Sequence, residues 1–196
     1  MPLRFAIEPP NGSKLVQDGL NQSSVRRGPL TGLAVDFNAL QLAPPHAVYD
    51  LRADEIANGK GLGSAHPAGF RYLVHAAGGP VAAAEVHTDP SGKATLLANM
   101  NYGPFVKATS DAFAKLENLE QVGTGSYEAR LLRISAIPLV SIWLKSDPGG
   151  ADVIYPLSTV PGMVEAEKAY SADEFLKAIL PIAKQRAESP GLPTVP

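Results

Sequence analysis

Two Asp-Pro-x-Gly tetrads constrain the fold of this chain more than any other feature of its sequence. They are DPSG at residues 89–92 and DPGG at 147–150, which places them 58 residues apart (147 − 89). Each tetrad stands between two apolar segments. Aspartate first, proline second and glycine fourth are typical of a tight chain reversal between antiparallel strands. We therefore predict a β-hairpin around each tetrad.

The same order of candidate elements surrounds both tetrads. In each half of the sequence three strand candidates are followed by an amphipathic helix. The candidates are FRYLVHA (70–76), PVAAAEVHT (80–88), KATLLANM (93–100) and the helix PFVKATSDAFAKLENL (104–119), then EARLLRISA (128–136), PLVSIWLKS (138–146), ADVIYPL (151–157) and the helix SADEFLKAILPIAKQRAE (171–188). A shift of 58 residues also aligns Pro80 with Pro138 and Leu73 with Leu131.

These patterns predict an α+β fold whose antiparallel sheet or sheets are built from two β-β-β-α units, at about 70–119 and 128–188. The recurrence is either an internal duplication or a common turn motif met twice by chance. A length of 196 residues suits one large domain or two very small ones. We therefore predict a single α+β domain over residues 1–196, with an irregular N-terminal segment to about residue 45 and an irregular tail at 189–196.

Several local signals mark helix ends. HAVYDL at 46–51 is a strand candidate, and Asp50 is a candidate cap for a short helix through Asn58, with Gly59 as the left-handed residue after it. LTGLAVDFNALQL at 30–42 mixes strand and helix spacing, so its class stays open.

The last helix candidate carries two further signals. Ser171 and Glu174 have the spacing of a capping box at its beginning. Pro181 lacks a backbone donor and crowds the preceding turn, so we expect it to kink or break the helix.

Composition excludes several classes of function. The chain has no cysteine, which excludes disulfides, thiolate metal sites and cysteine nucleophiles. Its formal net charge of -2 and the lack of a basic run argue against a nucleic-acid partner. No stretch has the length of a membrane span, and the first residues lack the pattern of a secretory signal. We therefore expect a cytoplasmic protein without a membrane partner.

The glycine-rich stretch GKGLGS at 59–64 invites comparison with a phosphate-binding loop. Such a loop follows a strand and opens a helix, whose N-terminal amides bind the anion. Here a short helix is predicted before the glycines and a strand after them, so we predict no nucleotide. The four histidines, at 46, 66, 75 and 87, have no metal-ligating spacing. We therefore expect neither a cofactor nor a bound metal.

One candidate cluster for chemistry depends on the strand register. If Gly78 and Gly79 form a two-residue hairpin loop, Tyr72 lies opposite Glu85 and shares a face with His87. A buried glutamate beside tyrosine and histidine is a candidate acid or base. The alternative is a satisfied polar cluster at the margin of the sheet. Tyr72, Glu85 and His87 are therefore the candidate catalytic residues.

A second set of residues is a candidate interface. In the same register Leu73, His75 and Leu97 lie on the opposite face, which is still half apolar and suggests cover by a partner or by the N-terminal segment. Across the second turn we expect Trp143 to pair with Ile154. Trp143 shares a strand face with Ser141 and Lys145, and is either a core residue or an anchor in an interface.

Together these observations favour a non-enzymatic protein-interaction or assembly module, with self-association or a protein partner. The alternative is an enzyme or small-ligand-binding protein that uses Tyr72, Glu85 and His87 near the loop at 59–69.

Overall fold

The computed structural model describes residues 3–25, 39–123, 125–134 and 136–188, which form a mixed α+β structure. The described strands are β1 (Leu3–Arg4), β2 (Gln41–Leu42), β3 (His46–Leu51), β4 (His66–Ala76), β5 (Gly79–Thr88), β6 (Ala94–Asn101), β7 (Tyr127–Ile134), β8 (Leu139–Ser146), β9 (Val153–Pro156) and β10 (Tyr170–Ser171). The described helices are α1 (Gly12–Val25), α2 (Ala53–Ala57), α3 (Pro104–Glu117), α4 (Glu120–Gly123) and α5 (Ala172–Glu188), with a 3₁₀ turn at Leu62–Ser64.

The chain forms two compact units that alternate along the sequence. Unit 1 comprises Met1–Arg4, Val48–Pro67 and Ala114–Pro196, and unit 2 comprises Phe5–Ala47 and Ala68–Phe113. A compact unit is a cluster of contacts rather than a demonstrated folding domain. The expectation of a single domain over residues 1–196 therefore stays a prediction.

Unit 2 is built on the antiparallel strands β4, β5 and β6, with β2 on the other side of β4. Helix α1 covers one face, where Val16 and Leu20 pack with Tyr72 and Ala84. The prediction of an irregular N-terminal segment is therefore wrong for residues 12–25. The spacing of apolar residues did not predict this helix, because its apolar stripe is short and lies directly after a Pro-Pro turn.

The hairpin between β4 and β5 differs from the predicted register. Ala76 pairs with Gly79, so residues 77 and 78 form the loop, and a bulge follows between Val74 and His75. Gly79 is the first residue of β5, and its φ of +120° lies in a region that glycine adopts and other residues rarely do. The prediction that Tyr72 lies opposite Glu85 is wrong. Tyr72 instead pairs with Ala84, and a one-residue difference moves side chains to the other face.

Unit 1 has the strand order β10-β9-β8-β7-β3, with β1 parallel to β7. The predicted pairing of Trp143 with Ile154 is confirmed. Helices α2 and α5 cover one face of these strands, and Trp143, Ile154 and Phe175 belong to the core between them. On α5 the buried residues are Phe175, Ile179 and Ala183, which lie on one face of the helix.

The ends of α2 and α5 show which local signals are reliable. Ser171 and Glu174 form the predicted capping box, with the Glu174 N–H donating to Ser171 Oγ at 3.3 Å and the Ser171 N–H donating to Glu174 Oε2 at 3.0 Å. Pro181 does not end the helix, which continues to Glu188. Its exposed position lets the chain tolerate one missing backbone hydrogen bond there.

The strand at His46–Leu51 is confirmed, but Asp50 belongs to it and does not cap α2. The N-cap is Arg52. Gly59 has a φ of +74°, as predicted, and its N–H donates to the Ile56 carbonyl at 2.9 Å while the Lys60 N–H donates to the Glu55 carbonyl at 2.9 Å. These two hydrogen bonds form a Schellman motif, which requires a left-handed residue at the position of Gly59.

Both tetrads form the predicted turns, but in different conformations. The Gly92 N–H donates to the Asp89 carbonyl at 2.9 Å, and the Gly150 N–H donates to the Asp147 carbonyl at 3.0 Å. The positive φ lies at Gly92 in the first tetrad and at Gly149 in the second. Three strands and a helix follow one another twice, yet the internal duplication stays a prediction.

Two predictions lie mainly outside the described residues. They are the open class of segment 30–42, of which residues 39–42 are described, and the irregular tail at 189–196. None of the helices in the described ranges is long and apolar enough to cross a bilayer.

Candidate functional site

Tyr72 is a core residue beneath α1 and not part of an open site. It is 1% exposed, and a Cβ on Gly12, at the beginning of α1, would lie 2.0 Å from its hydroxyl oxygen. Burial raises the pKa of Tyr72, and the negative charge of Glu8 raises it further. The phenol is therefore held neutral and is covered by the first turn of the helix.

Glu85 pairs with Arg71 rather than with Tyr72. The two residues are opposite each other in the β4–β5 ladder, and Arg71 Nη1 lies 3.6 Å from Glu85 Oε1. Arg71 is 4% exposed and Glu85 is 7% exposed, so the ion pair is almost completely removed from water. Burying two charges together is tolerated when they are paired. His87 is exposed. The structure therefore does not bring Tyr72 together with Glu85 and His87.

The sequence reasoning missed His46, a wholly buried histidine in unit 2. It is 1% exposed, and the ring of Phe113 packs edge-on against it at 5.2 Å between centroids. Burial, and then the positive charge of Arg71, lowers the pKa of His46 to about 3. Its Nε2 has no hydrogen-bond partner in the described part of the chain. His46 opens a strand with alternating burial, but nothing in its spacing distinguishes it from an exposed histidine.

The four candidate interface residues do not form one exposed patch. Trp143 is 3% exposed, and its indole N–H donates to Asp152 Oδ2 at 2.9 Å. Leu73 is buried, while His75 and Leu97 are half-buried. Leu97 packs on α1, where a Cβ on Gly19 would lie 2.2 Å from its Cδ2. The core reading of Trp143 is the one that its contacts favour.

A cation lies beside the rings of Trp143 and Tyr49. The guanidinium of Arg130 lies 4.9 Å from the Trp143 ring centroid and 4.6 Å from that of Tyr49, a distance that suits cation–π attraction. Arg130 also donates to Glu128 at 2.7 Å. This aromatic pair is occupied by a side chain of the same chain and offers no binding site.

Lys60, in the glycine-rich stretch, lies near a buried carboxylate of α2. Glu55, 8% exposed, lies with Oε1 at 3.5 Å from Lys60 Nζ and 3.4 Å from His66 Nε2. Gly61 has open space at its Cβ position and no positive φ. Across the described ranges no group of three metal-ligating side chains occurs. The loop therefore ends a helix and leads into β4 through a 3₁₀ turn, and its amides form no cradle at a helix N-terminus.

Strand β6 is the outer strand of unit 2. Its first residue, Ala94, is covered: the Ala94 N–H donates to the Pro10 carbonyl at 2.9 Å, and Asn11 Nδ2 donates to the Ala94 carbonyl at 3.2 Å. Beyond Ala94 the described chain places only β5 beside this strand. Thr95, Leu96, Ala98 and Asn99 are exposed, and Leu96 is exposed to 56%.

Large apolar side chains that are exposed in the described ranges all belong to unit 2. They are Ile7, 92% exposed, Leu96 and Phe105, 42% exposed. The Ala94 N–H donates to the Pro10 carbonyl. Ile7 stands three residues before Pro10, and Leu96 stands two residues after Ala94. At about 3.4 Å of reach per residue, this connection keeps Ile7 within roughly 22 Å of Leu96. We call Ile7, Leu96 and Ala98 the outer-strand patch.

The fold and this surface define a mixed α+β protein with an uncharged outer strand, part of which is exposed. No protein-family model matches the chain, and neither a curated protein nor a solved structure shows significant similarity to it.

Proposed function

We propose that this chain is a non-enzymatic protein-interaction or assembly module that binds its partner through the outer-strand patch. The observation that carries the proposal is the chemistry of β6, whose sequence ATLLANMN contains no charged residue and no proline. Proteins ordinarily protect an outer strand with lysine, proline or a covering segment. Here Pro10 and Asn11 cover Ala94, whereas Thr95, Leu96, Ala98 and Asn99 are exposed.

An uncharged outer strand suits a protein contact for two reasons. Its outward N–H and C=O groups can pair with an extended segment of a partner, and its side chains supply apolar contact. Two register shifts, between Glu85 and Val86 and between His87 and Thr88, interrupt the ladder to β6. Because bulges limit continuous pairing, we expect side-chain contact by Leu96 and Ile7 to provide more of the binding energy than a long backbone ladder.

The energy available from the patch is moderate. Fully burying an exposed large aliphatic side chain contributes about 1.5–3 kcal/mol, so Ile7 at 92% exposure and Leu96 at 56% exposure together contribute roughly 2–4 kcal/mol. Association costs several kcal/mol in lost freedom of motion. We therefore propose self-association, or binding of one protein partner, that depends on concentration rather than a permanent assembly.

Light scattering after size-exclusion chromatography tests this proposal. The wild-type mass should rise with protein concentration, and Leu96→Lys should restore the monomer mass by introducing a charge on the outer strand. Phe105→Lys is the matched control, because it also replaces an exposed apolar side chain but lies in α3. A monomer at every concentration, with no protein partner captured that Leu96→Lys releases, would contradict the proposal.

The alternative, an enzyme or ligand-binding protein that uses Tyr72, Glu85 and His87, receives no support from the geometry because Tyr72 lies under α1. Glu85→Gln still distinguishes the two functions. The interaction proposal requires that this variant change stability alone, since it weakens the pair with Arg71.

Three finer statements belong with the proposal. The β-β-β-α series is proposed to be an internal repeat on the strength of the two Asp-Pro-x-Gly turns. The location is proposed to be cytoplasmic, and the net charge of -2 supports a partner other than nucleic acid.

A further inference from the structure

Unit 1 contains a groove of about 570 Å³ beside the end of α3. Residues of three segments form it: the last turn of α3 and the residues after it, strand β9, and the chain between β9 and β10. Its lining includes Ala114, Lys115, Leu119, Tyr155, Glu167 and Ala169. The volume is within the ordinary range of small-molecule sites.

An ion pair crosses this groove. Lys115 of α3 donates to Glu167, which stands 52 residues later in the chain between β9 and β10. Both side chains remain about half exposed, at 51% and 59%. Exposed pairs of this kind contribute little to stability, so a ligand that offers each side chain a new partner displaces the pair at small cost.

The backbone of Glu167 is held in an unfavourable conformation. Its φ is +62°, in the left-handed region that non-glycine residues rarely adopt. The Glu167 N–H donates to the Pro156 carbonyl at 2.9 Å, which fixes this conformation beside β9. Strained residues are concentrated at ligand-binding sites. A glycine would adopt the same backbone without strain, but it would remove the carboxylate from the groove.

Two further polar groups line the groove: the side-chain amide of Asn118, which donates to the Ala114 carbonyl at 2.8 Å, and the phenol of Tyr155. The Tyr155 side chain is 4% exposed. Burial raises the pKa of Tyr155, while the charge of Lys115 lowers it and the charge of Glu167 raises it. Both charged groups are therefore close enough to act on the phenol. An ammonium group, a carboxylate and a phenol thus line the groove together with the Asn118 amide, and the remaining lining residues are alanine and leucine.

We propose that this groove binds a small zwitterion with an apolar body, of the size and chemistry of a free hydrophobic α-amino acid. The ligand carboxylate pairs with Lys115 and its ammonium group with Glu167, while its side chain lies against Leu119 and the Tyr155 ring. The charges of the two protein residues cancel, so a ligand with one charge alone would leave one of them without a partner. This site is independent of the outer-strand patch, which belongs to unit 2.

Titrations followed by ¹H–¹⁵N NMR test the proposal with L-leucine and L-phenylalanine as probes. We expect saturable shifts of the amide signals of Lys115, Leu119, Glu167 and Ala169. Two further titrations separate the charges: 4-methylpentanoate has the carboxylate alone, and isopentylamine has the ammonium group alone. Each should bind at least tenfold more weakly than leucine, because it satisfies one of the two charged side chains.

Variants then connect the affinity to the named residues. Lys115→Met and Glu167→Gln should each weaken leucine binding at least tenfold. Lys107→Met, which breaks the exposed Lys107–Asp111 pair on the same helix, should leave it unchanged. Glu167→Gly should raise the melting temperature by relieving strain and still abolish binding, a combination that simple loss of folding cannot produce.

Three results would overturn the proposal: no saturable shift with either amino acid, equal binding of leucine and its singly charged analogues, or unchanged affinity in Glu167→Gln. Light scattering on the same samples keeps the two proposals distinct. Loss of self-association in Leu96→Lys should leave leucine binding intact, and Glu167→Gln should leave self-association intact.

Discussion

Protonation of His46 in the unfolded chain should lower the free energy of unfolding between neutral and mildly acidic pH. His46 is enclosed in unit 2 beside Phe113 and near the cation of Arg71, so the folded protein holds its imidazole neutral. Its pKa falls from the ordinary 6.5 to about 3. The unfolded chain therefore binds a proton in this interval that the folded protein does not bind, and stability falls as pH falls.

The size of the effect follows from the width of that interval. Stability from His46 is fully present above pH 6.5 and decreases by up to about 1.4 kcal/mol for each pH unit below it. At pH 5.0 the protein should be roughly 2 kcal/mol less stable than at pH 8.0, as far as His46 alone is concerned. The full interval down to pH 3 corresponds to about 5 kcal/mol, an upper bound.

Urea unfolding followed by far-UV circular dichroism measures this dependence between pH 5.0 and 8.0. The lower limit avoids protonation of Asp54, Asp89 and Asp147, whose pKa values lie below their usual range because of hydrogen bonds from Arg52, Ser91 and Arg4 respectively. The variant is His46→Gln, and the control is His87→Gln, which removes an exposed histidine. His46→Leu provides a second non-titrating side chain if the glutamine variant folds poorly.

The decisive quantity is the slope of unfolding free energy against pH, not its absolute value. The wild type and His87→Gln should share a steep slope below pH 6.5, and both His46 variants should show a flatter one. If the wild type and the His46 variants have the same slope, His46 is not held neutral by burial, and the reasoning is wrong.

Two further predictions concern backbone space and a buried carboxylate. Gly69→Ala should lower the free energy of unfolding by at least ~2 kcal/mol, because Gly69 has a φ of +143° and a Cβ would lie 2.2 Å from the Val86 carbonyl oxygen. The control is Gly61→Ala, since a Cβ at Gly61 would enter open space. Equal urea midpoints for the two variants would refute the steric argument. Burial alone would raise the pKa of Asp152, but hydrogen bonds from Ser146, Trp143 and Lys145 outweigh it and hold the pKa below its usual range. Asp152→Asn should therefore lower the free energy of unfolding by about 1.5–3 kcal/mol, measured by urea unfolding with Trp143 fluorescence. Asp111→Asn, which removes a partner of Lys107 on α3, should lower it by less than about 0.5 kcal/mol. An unchanged free energy of unfolding in Asp152→Asn would contradict the hydrogen-bond argument.

The sequence predicted strands well where a strong turn motif separated them. The turns at 89–92 and 147–150 placed the neighbouring strands to within a few residues, and the pairing of Trp143 with Ile154 followed from the second turn. The first hairpin failed because two adjacent glycines allow more than one loop position. Gly79 entered β5 with a positive φ, which a count of apolar residues cannot detect.

The candidate sites were predicted less well, because they depend on contacts between distant segments. Shifting the hairpin by one residue placed Glu85 opposite Arg71 and removed Tyr72 from the cluster. The groove combines Lys115 with Glu167, and the strained backbone of Glu167 has no signature in its residue type. The burial of His46 depends on Phe113, which comes from a helix far along the chain.

The division into alternating units has a consequence for synthesis on the ribosome. Unit 2 is complete once Phe113 has left the exit tunnel, whereas most of unit 1 consists of residues that are translated later. The exposed strand Ala94–Asn101 therefore emerges while α5 does not yet exist, and a nascent chain would present its uncharged surface to neighbouring chains on the same messenger RNA before the other unit is finished.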